Sequence, residues 1–113
     1  MFDFQKLTVY DKAKSFHYEV KNFVLENNLD PITRDQLFRA SLSVPLNIAE
    51  GSGRFSKRDR RHFFVIARSS VFECVAIFDI LSDTTVSDIQ YDQFASTANE
   101  LSRMLFAMIR NLS

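Results

Sequence analysis

The chain has 113 residues, equal numbers of acidic and basic side chains, and 46% apolar residues, including twelve phenylalanines. This length allows one domain with a substantial hydrophobic core, which we assign to residues 1–113. Two glycines and two prolines are too few for a β fold that needs turn residues about every ten positions, so the composition predicts an all-α protein.

Composition also argues against several kinds of site. The N-terminus carries charges where a secretory signal needs apolar residues, and no uncharged apolar run is long enough to span a membrane, so we expect a cytoplasmic protein. Cys74 has no partner for an internal disulfide, and its place in an apolar seam predicts a buried, inert thiol. His17 and His62 lie on different segments without ligand-like neighbours, so we expect neither a metal nor a cofactor.

The first two helices are predicted from apolar residues that recur at spacings of three and four. Helix 1 is predicted over 6–26 and helix 2 over 33–50. Thr33 opens the second helix, where Gln36 completes a T-x-x-Q capping box.

Proline and glycine occur in the second half of helix 2. Pro45 lies inside the periodic run, so we expect it to bend the helix without breaking it. Gly51 follows, and it fits the left-handed C′ position at which helices end. Helix 3 is predicted over 57–82, with Ser56 as its N-cap and Asp59 in the first turn.

Helix 4 is predicted over 88–112 from the same apolar periodicity. The three connections between the helices are short, so sequential helices must run antiparallel. The sequence therefore predicts an up-down-up-down four-helix bundle.

Helices 2 and 3 carry apolar residues beyond those that one core can cover. These residues are Leu42, Leu46, Val65, Phe72 and Val75. A contiguous apolar patch of this kind is typical of an interface, and we expect the chain to self-associate through it. The alternative is scattered surface hydrophobic residues, which are common.

Polar residues also occur at unexpected positions on these helices. Glu73 lies on a largely apolar face, so we expect a structural network with Arg39 and Glu50, while Asn47 bonds backbone left open by Pro45. The alternative is that both carboxylates point at water. A general acid/base pair is the enzymatic interpretation, but no nucleophile with a nearby base and no phosphate-binding glycine loop accompanies it, so we expect no enzyme.

Basic residues concentrate between helices 2 and 3. They are Arg54, Lys57, Arg58, Arg60 and Arg61. Positive charge near a helix N-terminus opposes the helix dipole, which favours a functional interpretation, with phosphate as the ligand. The alternative is a solvated, salt-bridged rim.

Two stretches, QLFRASLSVPLNIAEGSGR and FFVIARSSVFE, carry a resemblance that covers nearly the whole chain. They resemble the four-helix-bundle family known as the 23S rRNA-intervening-sequence proteins. The matching positions are Gln36, Arg39, Ala40, Ser43, Asn47, Ile48, Ala49, Glu50, Gly51, Arg54, Ala67, Ser70 and Glu73. Two positions depart from the family pattern, because Ser69 stands where a glycine is expected and Tyr10 where a tryptophan is common.

The resemblance implies a ring of bundles, typically a homopentamer, without established catalytic activity. It also implies kinship with the accessory protein of diversity-generating retroelements, a basic-surfaced pentamer that binds nucleic acid and a reverse transcriptase. We therefore predict a noncatalytic oligomer that binds nucleic acid or a nucleoprotein partner through the basic residues. The alternative is a purely structural protein-interaction ring whose charges only orient subunits.

Overall fold

A computed structural model of the chain describes residues 1–112 and contains four long helices. A short 3-10 helix, Asp3–Lys6, precedes them. The bounds are Thr8–Glu26 for α1, Pro31–Ser52 for α2, Lys57–Leu81 for α3 and Asp88–Asn111 for α4. Each helix packs on its neighbours in sequence and α4 returns to α1, which closes a rod of 44 × 22 × 21 Å. The predicted four-helix bundle is confirmed.

A cluster of phenylalanine rings within the core joins three helices. Phe94 on α4 stacks on Phe78 of α3 with ring centroids 3.8 Å apart, and on Phe16 of α1 at 5.0 Å. Phe23 of α1 also contacts Phe78, at 4.8 Å. Aromatic pairs at these separations add to the free energy gained by burial alone. Among residues 1–112, no helix is both long and apolar enough to cross a membrane.

The start of α2 differs from the prediction. Asp30 is the N-cap, and its Oδ1 accepts hydrogen bonds from the backbone N–H groups of Ile32 and Thr33 at 3.1 and 3.0 Å. Pro31 occupies the first turn, where its missing N–H costs nothing. The predicted capping box at Thr33 with Gln36 is therefore wrong, because an aspartate three residues earlier caps the helix. The bonds from Thr33 lower the pKa of Asp30.

The end of α2 also differs. Gly51 is helical and buried, α2 continues to Ser52, and no residue among 1–112 has a positive φ. The predicted left-handed conformation at Gly51 is therefore wrong. The helix runs on through the buried Pro45 without a break, as expected.

The predicted cap of α3 agrees with the structure, and α4 has a cap of its own. The Ser56 hydroxyl accepts from the backbone N–H of Asp59 at 3.0 Å and starts α3. Ser87 and Gln90 cap each other at the start of α4, with bonds of 3.0 and 3.2 Å. These caps satisfy backbone donors that have no partner within a helix.

Candidate interaction surfaces

A chain of hydrogen bonds joins α2 to α3. The Asn47 side-chain amide donates to Ser43 twice, to its carbonyl oxygen at 2.8 Å and to its Oγ at 2.9 Å. That Oγ lies 2.9 Å from the Oγ of Ser70 on α3. The predicted bond from Asn47 to backbone left open by Pro45 is therefore wrong, because the amide reaches the carbonyl of Ser43 and not that of Ser41, which Pro45 leaves without its helical donor.

Gly51 allows the same two helices to approach closely near the end of α2. A Cβ atom at this position would lie 2.8 Å from Cε1 of Phe64 and 3.0 Å from Cβ of Phe63. Real Cβ atoms do not come within 2.8 Å of another heavy atom, so the glycine provides space for the Phe64 ring. Its role is close packing and not helix termination.

The polar network expected among Arg39, Glu50 and Glu73 does not form. All three side chains are exposed, and Glu50 pairs with Arg54 one helical turn later, at 2.5 Å. Glu73 makes no ion pair or hydrogen bond within residues 1–112. Its carboxylate is exposed to water, which agrees with the alternative interpretation. A surface carboxylate needs no partner, because water solvates it.

The five predicted basic residues do lie together, at the end of the rod where α2 turns into α3. Arg54 is held by Glu50, and its guanidinium also lies 4.6 Å from the centroid of the Phe63 ring. The remaining four, Lys57, Arg58, Arg60 and Arg61, form no ion pair with any residue in the described part of the chain. Of the five cations, only Arg54 has within the described chain the salt bridge that the alternative of a solvated, salt-bridged rim includes. We call residues 54–61 the basic tip.

The basic tip is part of a separation of charge along the whole rod. Dividing each helix near its midpoint assigns residues 1–17, 42–69 and 100–112 to the tip half, which contains eleven Lys and Arg against five Asp and Glu. The opposite half, residues 18–41 and 70–99, contains three Lys and Arg against nine Asp and Glu. The chain is neutral overall because the two halves carry opposite net charges of equal size.

Phe55 lies within the basic tip and was not among the residues predicted to be functional. Its side chain is 104% exposed, more than that of any other large apolar residue in the described chain. No periodic signal marks this position, because the residue lies in the turn between two helices. Its place between Arg54 and Lys57 was the available clue.

The predicted apolar interface divides into two parts. Leu46 and Val65 are exposed on α2 and α3, while Leu42 is half-buried. Phe72 and Val75 instead line a groove of about 750 Å³ between α3 and α4.

Groove residues on α4 were absent from the predicted interface. Phe106 is 50% exposed and lines the groove together with Phe72, which is 53% exposed. The Arg68 guanidinium contacts both rings, 4.7 Å from the Phe72 centroid and 5.3 Å from that of Phe106. The α4 contribution was missed because Phe106 lies beside the core stripe of its helix and carries no separate signal in the sequence. We call this surface the α3–α4 groove.

His17 and Ser41 form a buried, hydrogen-bonded pair between α1 and α2. His17 Nδ1 lies 2.8 Å from Ser41 Oγ, and that hydroxyl donates to the carbonyl of Phe38 at 3.0 Å. With the serine hydrogen directed to the Phe38 carbonyl, the tautomer of His17 that fits carries its hydrogen on Nδ1 and donates it to Ser41 Oγ. Burial, assisted by Lys21, lowers the pKa of His17. Ser41 is 0% exposed, so no substrate can reach the pair.

Cys74 is fully buried, as predicted, and burial raises the pKa of its thiol to about 12. Such a thiol is not a nucleophile at neutral pH. Within residues 1–112, no cluster of three or more histidine, cysteine or acidic side chains could hold a metal ion.

Comparison with known proteins gives a family and a fold. The family model described as 23S rRNA-intervening sequence protein matches residues 5–107. A crystal structure of a protein of unknown function from the S23 ribosomal protein family of Bacteroides thetaiotaomicron is 22% identical, with a TM-score of 0.84 over 90% of this chain and 98% of that one. No curated protein matches.

Proposed function

Because the chain belongs to the 23S rRNA-intervening sequence protein family, we propose that it is a noncatalytic, self-assembling four-helix bundle that binds nucleic acid with its basic tip. The observation that carries the proposal is the set of four unpaired cations, Lys57, Arg58, Arg60 and Arg61, at one end of the rod. Cations without an internal ion pair are free to pair with phosphate, and the release of condensed counterions drives binding.

Self-assembly is supported by the apolar side chains left in contact with water. Phe72 and Phe106 each expose about half of their surface beside the same groove, and Leu46 is 57% exposed. Large exposed apolar surfaces of this kind are typical of protein contacts. We propose a ring of five copies, the number that the family resemblance implies.

The separation of charge along each rod would give the proposed ring one basic face and one acidic face. In a closed ring with its symmetry axis along the rods, every basic tip lies on the same face. The field of the tips then adds, while the acidic halves gather on the opposite face. A nucleic acid would meet one cationic face, and a nucleoprotein partner would be held by the same charges.

Charge reversal at the tip tests this proposal. The Arg58→Glu/Arg60→Glu/Arg61→Glu variant should lose at least about tenfold in affinity for a labelled oligonucleotide at about 50 mM salt, measured by fluorescence anisotropy. The logarithmic salt dependence of the remaining affinity should fall by about one for each phosphate that the variant no longer binds.

A matched control reverses three charges in the opposite half of the rod. Lys21→Glu/Arg34→Glu/Arg39→Glu makes the same change in net charge without touching the tip. Equal weakening in the two variants would show that only net charge matters. Unchanged binding by the tip variant, or no binding by the wild-type protein with its assembly intact, would refute the nucleic-acid role and leave the purely structural ring.

A further inference from the structure

We propose that Phe55 is a stacking platform for an unpaired base, so that the basic tip selects single-stranded over double-stranded nucleic acid. The inference rests on the proposed function, since it names the form of nucleic acid that the tip would bind. The tip cations attract the phosphates of any strand. The aromatic ring of Phe55 adds a preference for single strands, which charge alone cannot supply.

The exposure of Phe55 is unusual within this chain. Several of its phenylalanines form the core, and Phe16, Phe64 and Phe94 are nearly inaccessible to water. Phe55 is fully exposed and makes no ring contact or cation–π contact within the described residues. Both faces of its ring are therefore available to a ligand.

The backbone on either side of Phe55 is fixed by hydrogen bonds. Before it, the N–H of Arg54 donates to the carbonyl of Gly51 at 3.2 Å. After it, the Ser56 hydroxyl caps α3 at Asp59, and the N–H of Arg60 donates to the Ser56 carbonyl at 3.1 Å. The ring projects from an ordered turn, so stacking on it requires little further ordering of the protein.

Charges around the ring separate the two parts of a nucleotide. A concave surface of about 460 Å³ is lined by Phe55, Arg54, Glu50 and Asp59. Arg54 pairs with Glu50, so Asp59 is the carboxylate on this surface without an ion pair in the described chain, and it repels phosphate. Lys57 and Arg58 follow Phe55 in the chain, are exposed and form no internal ion pair. Because Lys57 and Arg58 lie within three residues of Phe55, we expect a phosphate bound to them to bring its base within reach of the Phe55 ring, and the Asp59 carboxylate could accept a hydrogen bond from a base N–H group.

Base pairing decides whether the ring can be used. In a duplex both faces of an internal base are already stacked on neighbouring bases, so Phe55 has no face to contact. A single strand offers its base faces at little cost, and stacking on an aromatic side chain tolerates any sequence. Stacking of this kind does not involve the 2′-hydroxyl, so RNA and DNA single strands share the required chemistry.

Three substitutions at Phe55 test the inference by anisotropy. The probes are oligo(dT) and oligo(rU) of about twelve nucleotides and a DNA duplex of mixed sequence and the same length. Phe55→Ala should weaken single-strand binding about tenfold and leave duplex binding within about twofold. Phe55→Leu keeps an apolar side chain without a π face and should weaken binding as much as alanine does, whereas Phe55→Trp should bind single strands at least as tightly as the wild-type protein.

The Phe55→Trp variant gives a second, direct readout. The natural chain contains no tryptophan, so the fluorescence of the introduced indole would report this position alone, and stacking on a base should quench it. Ile32→Ala is the matched control, because it removes a 78% exposed apolar side chain at the opposite end of the rod. It should change neither the affinity for single strands nor the affinity for the duplex.

Each result bears on one of the two proposals. Equal single-strand binding by the wild-type, Phe55→Ala and Phe55→Leu proteins would overturn the stacking role while leaving the cationic tip intact. Equal weakening of single-strand and duplex binding by Phe55→Ala would overturn it too. A change in the mass of the assembly caused by Phe55→Ala would also overturn it, because it would place the Phe55 side chain at a subunit contact. No binding of any probe by the wild-type protein would overturn both proposals.

Discussion

Gly51 on α2 and Phe64 on α3 are in such close contact that even a methyl group between them would overlap the aromatic ring. The distance from an ideal Cβ on Gly51 to Phe64 Cε1 is 2.8 Å, and Phe64 is 2% exposed, so its ring has little room to move. The close packing of the two helices at this position therefore depends on a residue without a side chain.

This contact predicts that Gly51→Ala destabilises the protein. Alanine is the better helix former by about 1 kcal/mol, but overpacking against a buried ring costs typically about 1–3 kcal/mol, which equals or exceeds that gain. We expect a lower urea midpoint by circular dichroism. Gly53→Ala is the control, because its nearest atom would be 3.6 Å away, and it should be neutral or slightly stabilising. Equal effects at the two glycines would contradict the packing role.

The hydrogen bond between Ser43 and Ser70 predicts a second stability effect. Ser70→Ala leaves the Ser43 hydroxyl without its partner across the helix interface, which should cost about 1 kcal/mol. Ser69→Ala, one residue away and exposed, should change stability by less than about 0.5 kcal/mol. The double variant Ser43→Ala/Ser70→Ala should be less destabilised than the sum of the single variants, and strict additivity would argue against the bond.

Buried His17 predicts a loss of stability in mild acid. Its pKa is lowered in the folded chain from an ordinary value of 6.5, so below that pH the unfolded state binds more protons and stability falls as the pH falls. The loss should start as the pH drops through about 6.5 and should end below the folded-state pKa. Urea midpoints at a series of pH values measure it.

His17→Gln isolates the contribution of the imidazole. Glutamine retains a donor for Ser41 but does not titrate, so the variant should be less stable at neutral pH and should lose much less stability on acidification. His62→Gln, which changes an exposed histidine, is the control. A pH dependence identical in the wild-type and His17→Gln proteins would show that other groups are responsible.

The α3–α4 groove predicts a specific effect on assembly. Phe72→Asp places a charge among the groove side chains and should reduce the particle to the 13.1 kDa chain, measured by light scattering. Ile80→Asp is the control on the same helix, because Ile80 is 69% exposed and does not line the groove. An unchanged mass for Phe72→Asp would remove the groove from the assembly surface.

The helices themselves could be predicted from the sequence because the apolar periodicity of each is long and regular. The cap of α3 was predictable because one serine, Ser56, stood at the right spacing before the apolar run. The start of α2 was not, since Asp30 and Thr33 both offered a side-chain oxygen and Pro31 decided between them by fitting the first turn. A local sequence pattern does not show which of two possible N-cap residues is used when they lie only three positions apart.

Features that depend on contacts between helices were harder to predict. Gly51 follows the end of an apolar run, a place where glycine usually ends a helix, and only the position of Phe64 reveals why glycine is required there. Glu50 pairs with Arg54, four residues later and just beyond the end of α2, and not with a residue distant in sequence. The clustering of the basic tip was predictable because all its members are close in sequence.

The separation of charge along the rod also affects how the protein behaves in concentrated solution. A neutral particle with opposite poles attracts its neighbours end to end, so we expect precipitation to be easiest near the isoelectric point of about 6.7 at low ionic strength. Added salt shortens the range of that attraction, to about 10 Å at 0.1 M, and should therefore dissolve the protein. Purification buffers for this molecule should contain more electrolyte than its zero net charge would suggest.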